Sequence, residues 1–288
     1  MSSSTTTVRR LSWGAGARWL VLALAAVYFV GPLIAAINFT VKTPGGGVSL
    51  DAYGQIFAAP PTGQIGFVEA LVYSLLLSVF SIALTLALMV PTQILLHLYL
   101  PKLKSVVEII CLLPLVFPPV VLVVGISNIY KAVAPQAGDD GSPLFLALKW
   151  ARDTDHPLLL VATYSVMALP FVYRTINTGL EALPLATLVE AARNLGASWW
   201  TTITSVLLPP LRTSLVNAGF LCFALVMGEY TVASILLYTK PFPVWLAQLP
   251  AASGQEQAAV SVFSLLLVEA ALLLVSGFGV KGSKKGMP

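Results

Sequence analysis

Six stretches of about twenty residues in this chain are almost wholly apolar, each long enough to cross a bilayer's hydrocarbon as a helix rising about 1.5 Å per residue. They lie near 19–39, 67–90, 106–130, 157–176, 214–238 and 258–280. Of the 288 residues, 57% are hydrophobic and 10% charged, where soluble domains carry about 25% charge. So few charges cannot cover a water-facing surface. A soluble enzyme, a disordered chain and a DNA-binding protein are excluded. Cys111 and Cys222 each stand alone in an apolar run, so no disulfide framework is present. The expectation is an all-α integral membrane protein with six transmembrane helices.

The basic residues orient it. With the N-terminus inside and the spans alternating, Arg9, Arg10, Arg18, Lys102, Lys104, Arg174, Arg193, Arg212, Lys281, Lys284 and Lys285 fall inside. Lys42, Lys131, Lys149, Arg152 and Lys240 fall outside, five of the 16. Lys and Arg accumulate on the cytoplasmic side, so both termini are expected there. The first apolar run is longer than the roughly 7–15 residues of a signal-peptide core, and reads as a retained span. Residues 1–18 read as a cytoplasmic tail, 19–280 as a six-span domain and 281–288 as a second tail.

The cytoplasmic segment 181–210, between spans four and five, reads as helix rather than coil. Pro184 suits a helix's first turn. Thr187 and Glu190 have capping-box spacing. Leu188, Ala191, Ala192 and Leu195 recur at helical spacing and predict one apolar face. Gly196 permits a left-handed turn, Ser198 can cap a second short helix, and Pro209 with Pro210 predicts its end before span five. The pattern is helix, glycine turn, helix. The small Ala191 and Ala192, rimmed by Glu190 and Arg193, offer a surface that a partner can approach closely. A plain interfacial helix resting on headgroups fits the same eight residues.

The wider pattern is more specific. Glu190-Ala191-Ala192, then Gly196 after three residues, then Val206-Leu207-Leu208-Pro209 after nine more resembles the EAA loop of inner-membrane permeases of binding-protein-dependent ABC importers. Val206 replaces the usual Ile. The resemblance implies the type I importer permease fold, with a coupling helix between spans four and five. It implies that Glu190, Ala191, Ala192, Arg193, Gly196, Leu208 and Pro209 couple the chain to a cytoplasmic ABC ATPase dimer. It also implies a second permease subunit (paralogue or identical chain), an extracytoplasmic solute-binding protein, and a multi-pass location in a bacterial inner membrane. No Gly-x-x-x-x-Gly-Lys-Ser/Thr occurs in the chain, so ATP and Mg are expected on the partner, with no cofactor, catalytic residue, metal or nucleic acid here.

Polar groups inside spans are costly and tend to face cavities or partners. Glu229 in span five, with Tyr230 beside it, and Asn217 are the candidate pathway residues. A structural hydrogen bond remains the alternative for Glu229, and an interhelical one for Asn217. Gly228-Glu229-Tyr230 resembles permeases of the polyamine, ferric iron and thiamine or oxyanion group, so a polyamine-like solute is expected first. Ferric iron, thiamine, sulfate and phosphonate follow. Glu269 lies mid-span with its facing open. Pro114, Pro118 and Pro119 predict a broken or kinked third span. Asp153, Asp155 and His156, near Asp139 and Asp140, are a weak metal pattern and read as a solvated outer loop. Other classes make different demands. A secondary transporter would show internal repeats, and a membrane enzyme would show a catalytic constellation.

Overall fold

The computed structural model of the chain describes residues 15–42, 47–57, 65–133, 143–249 and 254–281. The helices run α1 (Ala15–Val41), α2 (Asp51–Gln55), α3 (Phe67–Leu98), α4 (Lys104–Val116), α5 (Pro119–Val133), α6 (Pro143–Ala151) and α7 (Leu158–Glu181). They continue as α8 (Leu185–Asn194), α9 (Trp199–Thr201), α10 (Leu208–Gly228), α11 (Thr231–Ile235), α12 (Phe242–Gln248) and α13 (Gly254–Lys281). Among the described residues the only β pairing is a bridge between Lys42 and Val48.

Two compact units result. In the first, α1 and α2 pack with α13. The Thr40 and Tyr53 hydroxyls meet at 2.8 Å. Gln255 Nε2 donates to the carbonyls of Phe39 and Lys42. The second unit holds α3 to α12, and α7 is its hub, packed against α3, α4 and α10. Leu160, Tyr164, Ala168, Val172 and Ile176 recur on its buried face.

Helices in lipid gain little from apolar contact alone, so close approach by small side chains has to hold them. Ser74, Ser78, Ser81 and Thr85 form a buried stripe on α3. Ser78 and Thr85 donate to carbonyls one turn back, at 2.8 and 2.7 Å. Gly179 of α7 meets Ser214 of α10 so closely that a Cβ there would lie 2.3 Å from Ser214 Oγ and 2.8 Å from Ser214 Cβ.

Four described helices are long and apolar enough to cross a membrane: Gly16–Val41, Phe67–Leu98, Leu158–Glu181 and Trp199–Gly228. The third expected span is two helices, bent by 97° between Val116 and Pro119. With 13 and 15 residues, each arm reaches only about 20 Å at 1.5 Å per residue, short of a hydrocarbon core of about 30 Å. Proline causes the break: Pro118 pushes Phe117 out of the helical region, to ψ 130°. The sixth run coincides with α13, whose Glu269 side chain lies outside the described residues, as do residues 1–14 and 282–288.

Two expectations about span five change. It is not continuous over 214–238, because α10 ends at Gly228 and a break precedes α11. Nor do Pro209 and Pro210 end a helix; they sit in the first turn of α10. A π turn over Thr202–Leu207, closed by Leu208 N donating to Ile203 O, joins α9 to α10. That wider turn makes room where proline rings would collide with carbonyls of a tight α-helix.

Candidate functional site

The segment after α7 folds as helix, turn, helix, but its details differ from the sequence reading. Pro184 is the N-cap of α8 rather than its first helical residue, and α8 has no side-chain cap. Thr187 lies inside the helix, so the capping box does not form. The buried face is Leu185, Val189 and Ala192, with Leu188 packed beside it. Leu195 is 89% exposed and Ala191 is exposed too. Burial follows one regular stripe, Leu185, Leu188, Val189 and Ala192, while Leu195 is the C-cap, past the last helical residue Asn194.

The glycine turn forms as expected. Gly196 has φ +81°. Its N–H donates to Arg193 O at 3.0 Å, and Ala197 N–H donates to Ala192 O at 3.0 Å. This crossed pair of bonds satisfies the last carbonyls of a helix, and it needs a left-handed residue between them. Ser198 Oγ then accepts from Thr201 N–H at 3.1 Å, capping α9.

The outer surface of α8 exposes Glu190, Ala191, Arg193 and Asn194. Arg193 donates to Ala197 O at 3.0 Å and lies 5.6 Å over the Trp199 ring. Trp199 meets Tyr99 edge-on at 6.0 Å. α3 has 32 residues, about 48 Å of helix, more than the hydrocarbon requires. Its surplus carries Leu98 and Tyr99 to α8, and an open pocket of 380 Å³ forms between them. Its floor is Val189 and Leu98, and its polar rim is Glu190, Arg193 and Asn194. Leu208 is half-buried against the core, and Pro209 is exposed.

A polar network behind this surface has no sequence motif. Lys104 Nζ pairs with Glu181 Oε1 at 2.5 Å, and Asn177 donates to the same oxygen at 3.2 Å. Tyr173 OH donates to Lys104 O at 3.4 Å, and Gln93 Nε2 donates to Tyr173 O at 2.9 Å. His97 Nδ1 lies 2.8 Å from Gln93 O. These bonds tie the ends of α3, α4 and α7 together beside α8. Only the fold reveals the bonds that join different helices, whose partners are 69 to 80 residues apart.

Glu229 sits in the break between α10 and α11. Its Oε1 accepts from Val232 N–H at 2.9 Å, and its carbonyl accepts from Tyr164 OH at 3.3 Å. The carboxylate therefore caps α11. Tyr230 and Asn217 are exposed. Replacing Glu229 by Gln keeps an acceptor for Val232 and is expected to leave the thermal midpoint of the purified chain unchanged. Replacing it by Ala should cost about 1 kcal/mol, as lost helix caps do. Equal midpoints for Gln and Ala in a detergent melt would remove the capping role.

At the opposite end of α7, Asp155 pairs with Lys240 at 2.9 Å. That hydrogen bond holds its carboxyl below the usual range. His156 stacks on Trp150. Among the described residues no cluster of three metal-binding side chains occurs; Asp139 and Asp140 lie outside them. Trp245 is 9% exposed and donates to Ile65 O at 2.8 Å.

The described residues thus form membrane-length apolar helices with a surface helix, α8, between α7 and α10, which defines a polytopic helical membrane protein. Residues 72–281 match the binding-protein-dependent transport system inner membrane component family, and the chain belongs to it. It is 39% identical over 89 residues to the probable sulfate transport system permease protein cysT of Marchantia polymorpha. That alignment covers 31% of this chain and 30% of the Marchantia protein, so the chain spans less than a third of that relative's length. It is 27% identical over 180 residues to the molybdenum transport system permease protein ModB of Escherichia coli K12, covering 60% of this chain and 74% of that protein. A probable ABC transporter permease protein, y4fN of Sinorhizobium fredii, is 26% identical over 266 residues, 89% of this chain and 44% of its own.

Proposed function

We propose that this chain is the membrane-spanning permease subunit of an ABC importer, and that it forms half of a solute pathway with a second permease subunit. The observation that carries the reading is the α8 surface: the helix Leu185–Asn194, closed at its C-terminal end by the Gly196 turn, presents Glu190, Ala191, Arg193 and Asn194 on its outer side. A cytoplasmic ATPase dimer grips α8, binds ATP and Mg itself, and moves the spans through the network behind the helix. The chain carries out no reaction of its own. Both termini and α8 face the cytoplasm, as the basic residues require, and a binding protein delivers solute on the far side.

The solute is a small tetrahedral oxyanion of the sulfate or molybdate kind. The sequence reading favoured a polyamine-like cation, on a Glu229 carboxylate facing a pore. That carboxylate is engaged by Val232 N–H, and the relatives above are named for sulfate and molybdenum. Sulfate was among the alternatives, so the substrate moves within the importer class.

Proteoliposomes test both levels. Reconstituted with a second permease subunit, an ABC ATPase and a binding protein, the chain should accumulate sulfate or molybdate only when ATP is supplied, and Glu190→Arg should abolish accumulation without lowering the amount of inserted chain. Accumulation without the ATPase would make it a secondary transporter. ATP-driven uptake of putrescine in place of the oxyanions would restore the polyamine reading.

A further inference from the structure

The geometry points to a binding subsite for a free tetrahedral oxyanion on this chain, at the end of α5 far from α8. It deepens the proposed function and rests on it.

A cavity of 340 Å³ lies between α5, Arg152 and the turn after α11. Ser127, Asn128 and Lys131 line it from α5, at the spacing of a single helix face. Arg152 lines it from a different element, and Leu236 and Leu237 close the rim. Two cations, a hydroxyl and an amide thus converge on one space, and no described residue lining it is a carboxylate. Tetrahedral oxyanions are held by such charge-assisted donors. The volume lies within the range of small-molecule sites, about 300–1,000 Å³.

Asp155 is taken up by Lys240 at 2.9 Å. Lys131 has no ion pair among the described residues. Arg152 Nη2 donates to Leu236 O at 3.5 Å, which holds the guanidinium at the cavity wall.

The rim is itself unusual. Leu237 has φ 66°, the only positive value at a non-glycine among the described residues. It occupies the same crossed-bond cap that Gly196 occupies after α8: Leu237 N–H donates to Ser234 O at 3.1 Å and Tyr238 N–H to Ala233 O at 2.9 Å. A leucine here keeps strain that glycine would remove, and such strain concentrates where a fold holds a functional shape. A lysine merely snorkelling to headgroups would face lipid. Lys131 instead shares its cavity with two polar neighbours of its own helix and an arginine from another element.

The test uses the full chain assembled with its ATPase in neutral-lipid nanodiscs. Ser127→Cys places a reporter thiol in the cavity, and the native Cys111 and Cys222 are buried. An anionic methanethiosulfonate should label the introduced thiol about tenfold faster than a cationic one, the scale of local electrostatic concentration. Sulfate should slow that labelling. K131Q should erase the preference, R152Q should do the same, and K149Q, on an exposed residue outside the cavity, should not. K131Q changes an exposed side chain, so its result stands even if R152Q does not fold. Equal labelling by the two reagents, no protection by sulfate, or protection only by added phosphatidylglycerol would overturn the subsite. If sulfate uptake is intact in wild type and unchanged in K131Q, the subsite fails and the importer reading survives. If wild type moves neither oxyanion with ATP, that reading fails first.

Discussion

Gly196→Pro is expected to abolish ATP-driven uptake while leaving the chain inserted at wild-type levels. Proline holds φ near −65°, and this position needs +81°. Proline also removes the N–H that donates to Arg193 O at 3.0 Å. The two losses fall on the bonds that close α8 and direct the chain to Ser198. Forcing this position out of the left-handed region costs at least what a Cβ alone costs there, about 1–2 kcal/mol, which is about tenfold or more in a docking equilibrium at about 1.4 kcal/mol per decade. Gly196→Ala separates strain from crowding. Nothing lies within 4 Å of a Cβ there, so only the left-handed backbone is penalised, by about 1–2 kcal/mol. Uptake should therefore fall in the order glycine, alanine, proline, measured beside membrane abundance and ATPase copurification. Wild-type uptake by the proline variant would show that α8 is not the coupling element.

Gly179→Ala is expected to lower the thermal midpoint of the detergent-solubilised chain, and Gly179→Val to prevent its assembly. The alanine methyl would lie 2.3 Å from Ser214 Oγ and 2.8 Å from Ser214 Cβ. The hydroxyl can rotate aside. The Cβ is fixed to the α10 backbone, so α7 and α10 must separate. Overpacking of this kind costs about 1–3 kcal/mol, and here it falls where the hub helix meets span five. Two second-site changes distinguish the cause. Ser214→Ala removes the hydroxyl and should rescue little, because the Cβ contact stays. Ser214→Gly removes both atoms and should restore the midpoint. Equal rescue by the two would place the clash at the hydroxyl, and no loss in Gly179→Ala would show that the helices are looser than their geometry implies.

These two glycines mark what a sequence can reveal. Gly196 was legible because its neighbours repeat a local grammar: a helical run, a glycine, a Ser cap, all within a dozen residues. Apolar length was legible for the same reason, and so was the proline break after α4. Gly179 carries no such mark. Its significance comes from Ser214, which folding brings against it. The Lys104–Glu181 and Gln93–Tyr173 bonds were silent for the same reason. Glu229 was legible as a costly carboxylate, with a pathway role and a structural hydrogen bond both open; its bond from Val232 N–H was not, because that N–H is free only where the helix breaks. The α8 face was misjudged because Leu188 and Ala192 belong to two overlapping helical stripes, and packing against the core selects the one with Leu185 and Val189 over the one with Ala191 and Leu195.

The π turn at Thr202–Leu207 carries a consequence for how α9 and span five are phased. An α-helix advances about 100° per residue, so one surplus residue offsets everything beyond it by about that angle. Deleting any single residue in that turn would leave composition and length nearly intact. Yet the Trp199 end and the Gly228 end would be cut to different keys, and a push delivered at one would arrive pointing the wrong way at the other.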